Sequence, residues 1–198
     1  MAYRAGRHFL QIPGPSPVPE RVVRASSAAV IDHRGPDFAD LGHSVLSGMQ
    51  RIFQTQSPVV IYPSSGTGAW EAALSNLVGP GDRVLFYETG QFAALWKQMA
   101  DRLQLKGDVI SGDWRTGVDA NRIEDALRAD TAGSIRAVCV VHHETSCGIT
   151  SDIRAVRDAI DATGHPALLL VDSISGLASV EYRHDAWGAD VTISGSQK

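Results

Sequence analysis

Two nearly uninterrupted apolar runs constrain the fold of this chain more than any other feature of its sequence. They are residues 135–141 (IRAVCVV) and residues 167–171 (ALLLV). A strand with one face in water alternates apolar and polar residues, whereas a strand covered on both faces is apolar throughout. These two runs therefore predict the central strands of a sheet that has helices on both of its faces.

Shorter strand-like runs alternate with helix-like segments along the rest of the chain. Further strands are predicted at residues 59–62 (VVIY), 83–87, 106–110 and 190–193. Helices are predicted at residues 69–78, 92–103, 120–128 and 152–163, with Ser151 as the cap of the last one. This alternation is typical of an α/β domain with a mostly parallel central sheet.

The first fifty residues do not follow this alternation. They contain PGPSPVP, residues 13–19, a proline-rich segment that favours an extended arm lying on a partner surface. We therefore expect an extended arm and a first helix in residues 1–50, and the α/β domain in residues 51–198.

The composition argues against several classes of function. The chain has 198 residues, is 43% hydrophobic and carries a formal net charge of -4, which is typical of a globular protein and disfavours nucleic acid or an anionic membrane as a partner. No apolar run approaches the length of a membrane span, and the N-terminus lacks the apolar core of a secretory signal. We expect a cytoplasmic protein in which Cys139 and Cys147 are reduced.

Small residues follow the first predicted strand and lead into a predicted helix. They are residues 64–68 (SSGTG). Free N–H groups and the dipole at a helix start favour an anion such as phosphate. The loop matches neither the nucleotide P-loop nor the dinucleotide-binding glycine pattern, and a simple tight turn explains it equally well. Phe92 follows the next glycine turn, where an aromatic residue is more often part of the core than a platform for a cofactor.

Polar residues concentrate where the run 135–141 ends. His142, His143, Glu144 and Cys147 could be read as metal ligands. However, adjacent residues of an extended chain point to opposite sides, and the spacing matches no recognised zinc motif. A polar pocket lining is the favoured interpretation, and we expect no metal.

A carboxylate and a lysine complete a set of groups with complementary chemistry. Asp172 directly follows the apolar run 167–171, and a charge at the end of a buried strand requires a cationic or N–H partner. Lys198 follows a strand and an SGSQ turn, and a lysine becomes a good nucleophile only when its site depresses its pKa or holds it as an imine. Together with an anion cradle and an aromatic ring, these are the groups that pyridoxal phosphate requires.

The motifs, taken in chain order, resemble those of a known family. PGPSPVP, DHRGPDF, SSGTGAWEAAL, ETGQF, HETSCGIT, VDSISGLAS and SGSQK resemble the motifs of class V, fold-type I aminotransferases that use pyridoxal 5'-phosphate, in particular the alanine–glyoxylate and serine–glyoxylate group. The resemblance covers nearly the whole chain and implies the large domain of that fold.

The resemblance also implies residue roles. Lys198 would be the Schiff-base lysine, Asp172 the partner of the pyridine nitrogen, Phe92 the residue stacked on the ring, and Thr145 a neighbour of the phenolic oxygen. The residues implied for phosphate binding are Ser65, Gly66, Thr67 and Gln197, and Gly14 would line the substrate pocket.

Four stretches look closest to the bacterial and plant serine–glyoxylate branch: QIPGP, DHRGPDF, YPSSGTGAWEAAL and YRHDAWGADVTISGSQK. The implied reaction moves the amino group of L-serine, or L-alanine, to glyoxylate, giving hydroxypyruvate, or pyruvate, and glycine. The implied partners are these small molecules and a second copy of the chain in a homodimer. A plant source would imply a peroxisomal location instead of a cytoplasmic one.

The chain departs from the family pattern at His143, Cys147 and Ser16, which leaves the exact substrate open. The resemblance also implies a small C-terminal α/β domain beyond Lys198, so residues 51–198 would be an incomplete large domain.

Other class V enzymes remain alternatives, namely phosphonate or phosphoserine aminotransferases and cysteine desulfurases, although desulfurases usually stack a histidine where this chain has Phe92. A truncated domain without catalytic activity is the remaining alternative.

Overall fold

A five-stranded parallel sheet organises residues 10–198, the part of the chain that the computed structural model describes. The first nine residues, with the beginning of the predicted arm, lie outside it. The strands are β1 (Arg83–Glu88), β2 (Lys106–Ser111), β3 (Ile135–Val141), β4 (His143–Glu144), β5 (Ile149–Thr150), β6 (Leu168–Asp172) and β7 (Val191–Ile193). The sheet order is β2-β1-β3-β6-β7 with every pair parallel, while β4 and β5 form a separate antiparallel hairpin.

Seven helices are described in residues 10–198: three precede the sheet, and four lie between its strands. They are α1 (Glu20–Ser26), α2 (Pro36–Phe53), α3 (Gly66–Leu77), α4 (Gln91–Arg102), α5 (Ala120–Ala129), α6 (Ile153–Thr163) and α7 (His184–Trp187). The predicted α/β fold with a mostly parallel sheet is confirmed. No helix within residues 10–198 is long and apolar enough to cross a membrane.

The strands separate two hydrophobic cores, which explains their apolar runs. Alternate residues of β1, β3 and β6 face α5 and α6 on one side, and the intervening residues face α3 and α4 on the other. In β3, for example, Val138 and Val140 belong to the first core, whereas Ala137 and Cys139 belong to the second. Helices therefore cover both faces of the sheet, as predicted.

The predicted strand at residues 59–62 is wrong. In the structure this segment is extended but pairs with none of the strands described, and the sheet begins at β1. Val60 and Ile61 are 66% and 58% exposed. A four-residue apolar run does not distinguish a buried strand from an apolar segment at a surface, and of this run only Val59 packs against a core.

The predicted cap of α6 is also wrong. Asp152 is the N-cap residue, and its side chain accepts a hydrogen bond from Ala155 N at 3.0 Å. Ser151 lies one residue earlier, and its hydroxyl accepts from Val118 N at 3.3 Å. Both residue types cap helices well, so the sequence alone did not decide between neighbouring positions.

The order in which strands are added to the sheet changes side at β1. From β1 the chain passes to β2 on one side, and it returns to place β3 on the other side. In parallel α/β sheets, ligands bind beyond the carboxyl ends of the strands at such a switch point. The loops after β1 and β3, with those after β6 and β7, are therefore the segments that form the candidate site.

Candidate active site

Side chains from three segments surround the amine of Lys198. Its Nζ donates hydrogen bonds to Thr145 Oγ1 at 2.8 Å and to Ser175 Oγ at 2.6 Å. The same Nζ lies 4.9 Å from the centroid of the Phe92 ring. The Thr145 and Ser175 hydroxyls are also hydrogen-bonded to each other. The structure thus brings together three residues that the sequence predicts for the site, Lys198, Thr145 and Phe92, and adds Ser175.

The surroundings of Lys198 favour its neutral form. Partial burial lowers the pKa of the ε-amine from its usual value, while the nearby carboxylates of Asp172 and Glu144 act in the opposite direction. The net lowering increases the fraction of uncharged amine at neutral pH. An uncharged amine is the form that attacks a carbonyl carbon.

The N-terminal arm lies against the alkyl chain of this lysine. A Cβ added to Gly14 would stand 2.7 Å from Lys198 Cγ, and Gly14 has a φ of +127°, a conformation that other residues rarely adopt. Ser16 N donates to Gln197 O at 2.9 Å. The structure therefore places Gly14 beside Lys198, where the sequence analysis expected a residue of the substrate pocket.

Asp172 ends β6 as a buried carboxylate. It is 3% exposed, and it accepts hydrogen bonds from Trp70 Nε1 at 2.9 Å and from Ile174 N at 2.7 Å. Burial raises its pKa to about 6; the two hydrogen bonds and Lys198 oppose this effect, whereas Glu144 adds to it. Because its bonded donors are neutral, a cation placed against Asp172 would relieve the cost of its buried charge.

Trp70 connects this carboxylate to the aromatic side of the site. Its ring meets the Phe92 ring edge-on with the centroids 6.4 Å apart, and it stacks on Trp96 at 5.8 Å. These three rings pack α3 against α4. Phe92 is accordingly held between the second core and the amine of Lys198.

The SSGTG segment forms the start of α3 next to β6. Gly66 is buried, and a Cβ there would overlap the side chain of Ile174, two residues after Asp172. Ser65 is the N-cap, but no side chain caps the helix, and the first turn carries no acidic residue. Ser65 and Thr67 are exposed. The N–H groups at the start of α3 are thus not occupied by a capping side chain, and no nearby acidic residue of the first turn would repel an anion there.

Gln197 is the one predicted phosphate contact that the structure does not bring to this segment. Its side-chain amide lies close to Gly195, and in residues 10–198 no hydrogen bond joins it to the start of α3. Its role therefore stays a prediction from the resemblance.

The four residues of the metal alternative point in different directions. The His142 ring packs against Tyr182 and Trp187 with centroids 5.2 and 5.5 Å away, and burial lowers its pKa to about 4. Glu144 accepts from backbone N–H groups of α4, and His143 Nδ1 is hydrogen-bonded to Thr150 Oγ1. Cys147 Sγ contacts Thr89 O at 3.5 Å. In the described part of the chain no group of three or more such residues could hold a metal ion.

Three residues of this site were not predicted from the sequence: Trp70, Glu144 as a structural carboxylate, and Ser175. Trp70 lies one helical turn after Gly66, so the helical period could have indicated that it faces Asp172. Ser175 lies three residues after Asp172 in a turn, and no local pattern predicts that such a hydroxyl reaches Lys198.

The residues around Lys198 fit pyridoxal phosphate by their own chemistry. The open start of α3 offers N–H donors to a dianion, the buried carboxylate of Asp172 suits a protonated ring nitrogen, and the Phe92 ring offers an aromatic face. The Lys198 amine, with its lowered pKa, suits an aldehyde carbon.

Comparison with known proteins agrees with this chemistry. Residues 8–198 match the family model of aminotransferase class-V. The chain is 47% identical over 98% of its length to a serine–glyoxylate aminotransferase of Methylorubrum extorquens, and 44% identical over 94% to an L-aspartate–glyoxylate aminotransferase of Paracoccus denitrificans. It covers 49% and 48% of these relatives, so it spans about half of their length.

The fold comparison gives the same result. An alanine–glyoxylate aminotransferase structure from Nostoc sp. superposes with a TM-score of 0.90 at 30% identity, over 100% of this chain and 52% of that one. The enzymes of the class V aminotransferase family depend on pyridoxal phosphate. Sequence, fold and site chemistry thus agree, and the chain belongs to the class V aminotransferase family.

Proposed function

We propose that this chain forms the cofactor-binding part of an aminotransferase that moves the amino group of L-serine to glyoxylate, giving hydroxypyruvate and glycine. L-alanine, which would give pyruvate, is the next candidate donor. The observation that carries the proposal is the position of the Lys198 amine, between the Phe92 ring and the Thr145 hydroxyl and near the buried carboxylate of Asp172.

Pyridoxal phosphate, when bound, supplies an electron sink that labilises bonds at the Cα of an amino acid. The role of Asp172 is to keep the ring nitrogen protonated, because its buried carboxylate gains a cationic partner there. Phe92 would pack on one face of the ring, and the Thr145 hydroxyl would lie near the phenolic oxygen. Ser65, Gly66 and Thr67 at the start of α3 would bind the phosphate, and the family resemblance adds Gln197 to this set.

Lys198 acts as the general base and acid once its amine is free. Its Nζ would take the proton from the Cα of the donor and return it to the cofactor carbon on the other side of the donor nitrogen, which requires an amine that is neutral at working pH. The lowered pKa of Lys198 supports this role, and the hydroxyls of Thr145 and Ser175 hold the amine in one place. Gly14, which lies against the alkyl chain of Lys198, would line the substrate pocket.

A half-reaction tests the donor. The full-length protein, loaded with cofactor, is mixed separately with L-serine, L-alanine and L-aspartate, and the visible absorbance of the bound cofactor is followed while the keto acid is identified. L-aspartate is included because one relative at 44% identity is an L-aspartate–glyoxylate aminotransferase. We expect L-serine to react fastest and hydroxypyruvate to form. Faster reaction with another donor would overturn the choice of L-serine, and no reaction with any donor would overturn the aminotransferase proposal.

We further propose that the working unit is a homodimer. Apolar residues of the N-terminal segments are exposed in the described chain, among them Val23 of α1 and Phe38, Leu41 and Val45 of α2. The hydrophobic face of α2 is thus largely uncovered. Single apolar side chains at a surface are ordinary, but a run of them along an 18-residue helix is typical of a contact surface.

A further inference from the structure

Glu144 is a fully buried carboxylate that the proposed mechanism does not use. It is 0% exposed. Its Oε1 accepts from Ser146 N at 3.0 Å, from Ser146 Oγ at 2.8 Å and from Phe92 N at 3.3 Å, and its Oε2 accepts from Ala93 N at 3.3 Å. A buried charge is costly unless hydrogen bonds of this kind satisfy it. The carboxylate therefore forms the connection between two segments of the chain.

The first of these segments is the start of α4, which has no cap of its own. The N-cap residue is Gly90, which has no side chain. The first three N–H groups of the helix are instead satisfied by the β4–β5 turn, because Gln91 N donates to Ser146 Oγ at 3.0 Å and the next two donate to Glu144. A negative charge at this end also matches the helix dipole.

The helix start lies directly on the turn. A Cβ at Gly90 would stand 2.5 Å from Glu144 Cγ and 2.6 Å from Ser146 Oγ, closer than real contacts allow. The glycine is therefore required by the close approach of the two segments. Any displacement of Glu144 would be transmitted to the first turn of α4.

Each segment carries one residue that reaches the Lys198 amine. Phe92 lies in the first turn of α4 with its ring 4.9 Å from Nζ, and Thr145, directly after Glu144, accepts from Nζ at 2.8 Å. We propose that Glu144 is a positioning residue for the cofactor ring, because it fixes Phe92 and Thr145 relative to each other at Lys198. This inference rests on the proposed function, in which Phe92 stacks on that ring.

Replacing a residue that only stabilises the fold would lower the melting temperature without acting through Phe92. Replacing a positioning residue would weaken cofactor binding through Phe92, so the effect of the substitution would shrink when the Phe92 ring is absent. A double-mutant cycle separates these two roles, since effects at coupled residues are not additive.

The cycle uses Glu144→Gln, Phe92→Leu and the double variant in the full-length protein. Gln keeps the size of the side chain but replaces one acceptor with an amide donor facing backbone N–H groups. The readouts are the rate of cofactor loss on dialysis and the visible ellipticity of the bound cofactor, with the far-ultraviolet spectrum as a check on folding. Ser146→Ala, which removes the acceptor for Gln91 N but keeps the carboxylate, serves as a milder variant of the same connection.

We expect Glu144→Gln to speed cofactor loss about tenfold and to reduce the visible ellipticity, and we expect less than about a threefold further change in the Phe92→Leu background. An equal effect in both backgrounds would overturn the inference. If Glu144→Gln does not fold, the same cycle with Ser146→Ala decides. We expect Ser146→Ala to speed cofactor loss less than about tenfold, and to do so only in the protein that retains Phe92. A wild-type protein that retains no cofactor would instead contradict the proposed function.

Discussion

At the scale of single residues, Asp172 has an environment that disfavours its own charge. Its carboxylate is buried near the carboxylate of Glu144, and burial is the largest cause of its raised pKa of about 6. The charge becomes favourable when a cation lies against it, as a pyridinium nitrogen would. The cofactor-free protein should therefore be less stable at neutral pH because of this residue.

Asp172→Asn tests this in the cofactor-free, full-length protein. The folded pKa of about 6 lies above the usual value of 3.8, so the stability contributed by Asp172 is present below pH 4 and is lost as the pH rises through 6. From pH 4 to pH 7 the variant should gain about 2 kcal/mol in free energy of unfolding relative to wild type. The measurement is urea unfolding at both pH values, and an unchanged difference between the two proteins would contradict the assignment.

Ser175 offers a second residue-scale prediction. Its Oγ accepts from Lys198 Nζ, whereas the hydroxyl of nearby Ser179 bonds only to backbone carbonyls of its own turn. Loss of one hydrogen bond to a partly solvated amine should cost about 1 kcal/mol, roughly fivefold in rate. We expect Ser175→Ala to lower kcat by about that factor with little change in KM, and Ser179→Ala to leave both unchanged. Equal effects of the two substitutions in steady-state kinetics would refute the role of Ser175.

At the scale of elements, the start of α3 is held against the loop after β6 by contact between Gly66 and Ile174. Gly66→Ala should cost about 1–3 kcal/mol, because the added methyl overlaps a buried side chain. It should also weaken cofactor binding, since the proposed phosphate donors shift with the helix start. Thermal unfolding and cofactor titration measure the two effects.

The control for this substitution lies in the loop between α3 and β1. A Cβ at Gly79 would have Asp82 Oδ2 as its nearest neighbour, at an ordinary contact distance of 3.9 Å, so Gly79→Ala should leave cofactor binding unchanged. Ile174→Val removes the terminal methyl that Gly66→Ala would meet, and we expect it to restore part of the lost cofactor affinity. No restoration in the double variant would show that overlap with Ile174 is not the cause.

Secondary structure was predictable from the sequence where burial was continuous. The run IRAVCVV predicted β3 because strands between two cores have no polar face. The helix predicted at residues 69–78 was found, but α3 begins three residues earlier, because residues 66–68 of the glycine-rich segment form its first turn. The strand predicted from the run VVIY was wrong, because whether these side chains are buried depends on segments that are distant in the sequence. In the same way, the contacts of Ser175 and Glu144 join residues from segments that are distant in the sequence, and no local sequence pattern predicts such contacts.

At the scale of the whole molecule, the exposed apolar face of α2 is the surface on which the homodimer proposal rests. The proposed occupant is a second copy of the chain, and Leu41→Asp places a charge on that face. We expect the full-length wild type to be a dimer by light scattering and Leu41→Asp to shift it to monomer. Asn121→Asp, which adds the same negative charge at an exposed position in the first turn of α5, serves as the control for altered charge. A monomeric wild type would contradict the homodimer.

The central claim is that Lys198 is the residue that holds the cofactor. The most direct test is hydride reduction of the full-length protein as purified with cofactor, followed by peptide mapping by mass spectrometry. The lowered pKa of the amine and its place at the carboxyl ends of the strands predict a pyridoxyl group on the peptide that contains Lys198. A pyridoxyl group on Lys97 or Lys106 instead, or on no peptide at all, would contradict the account.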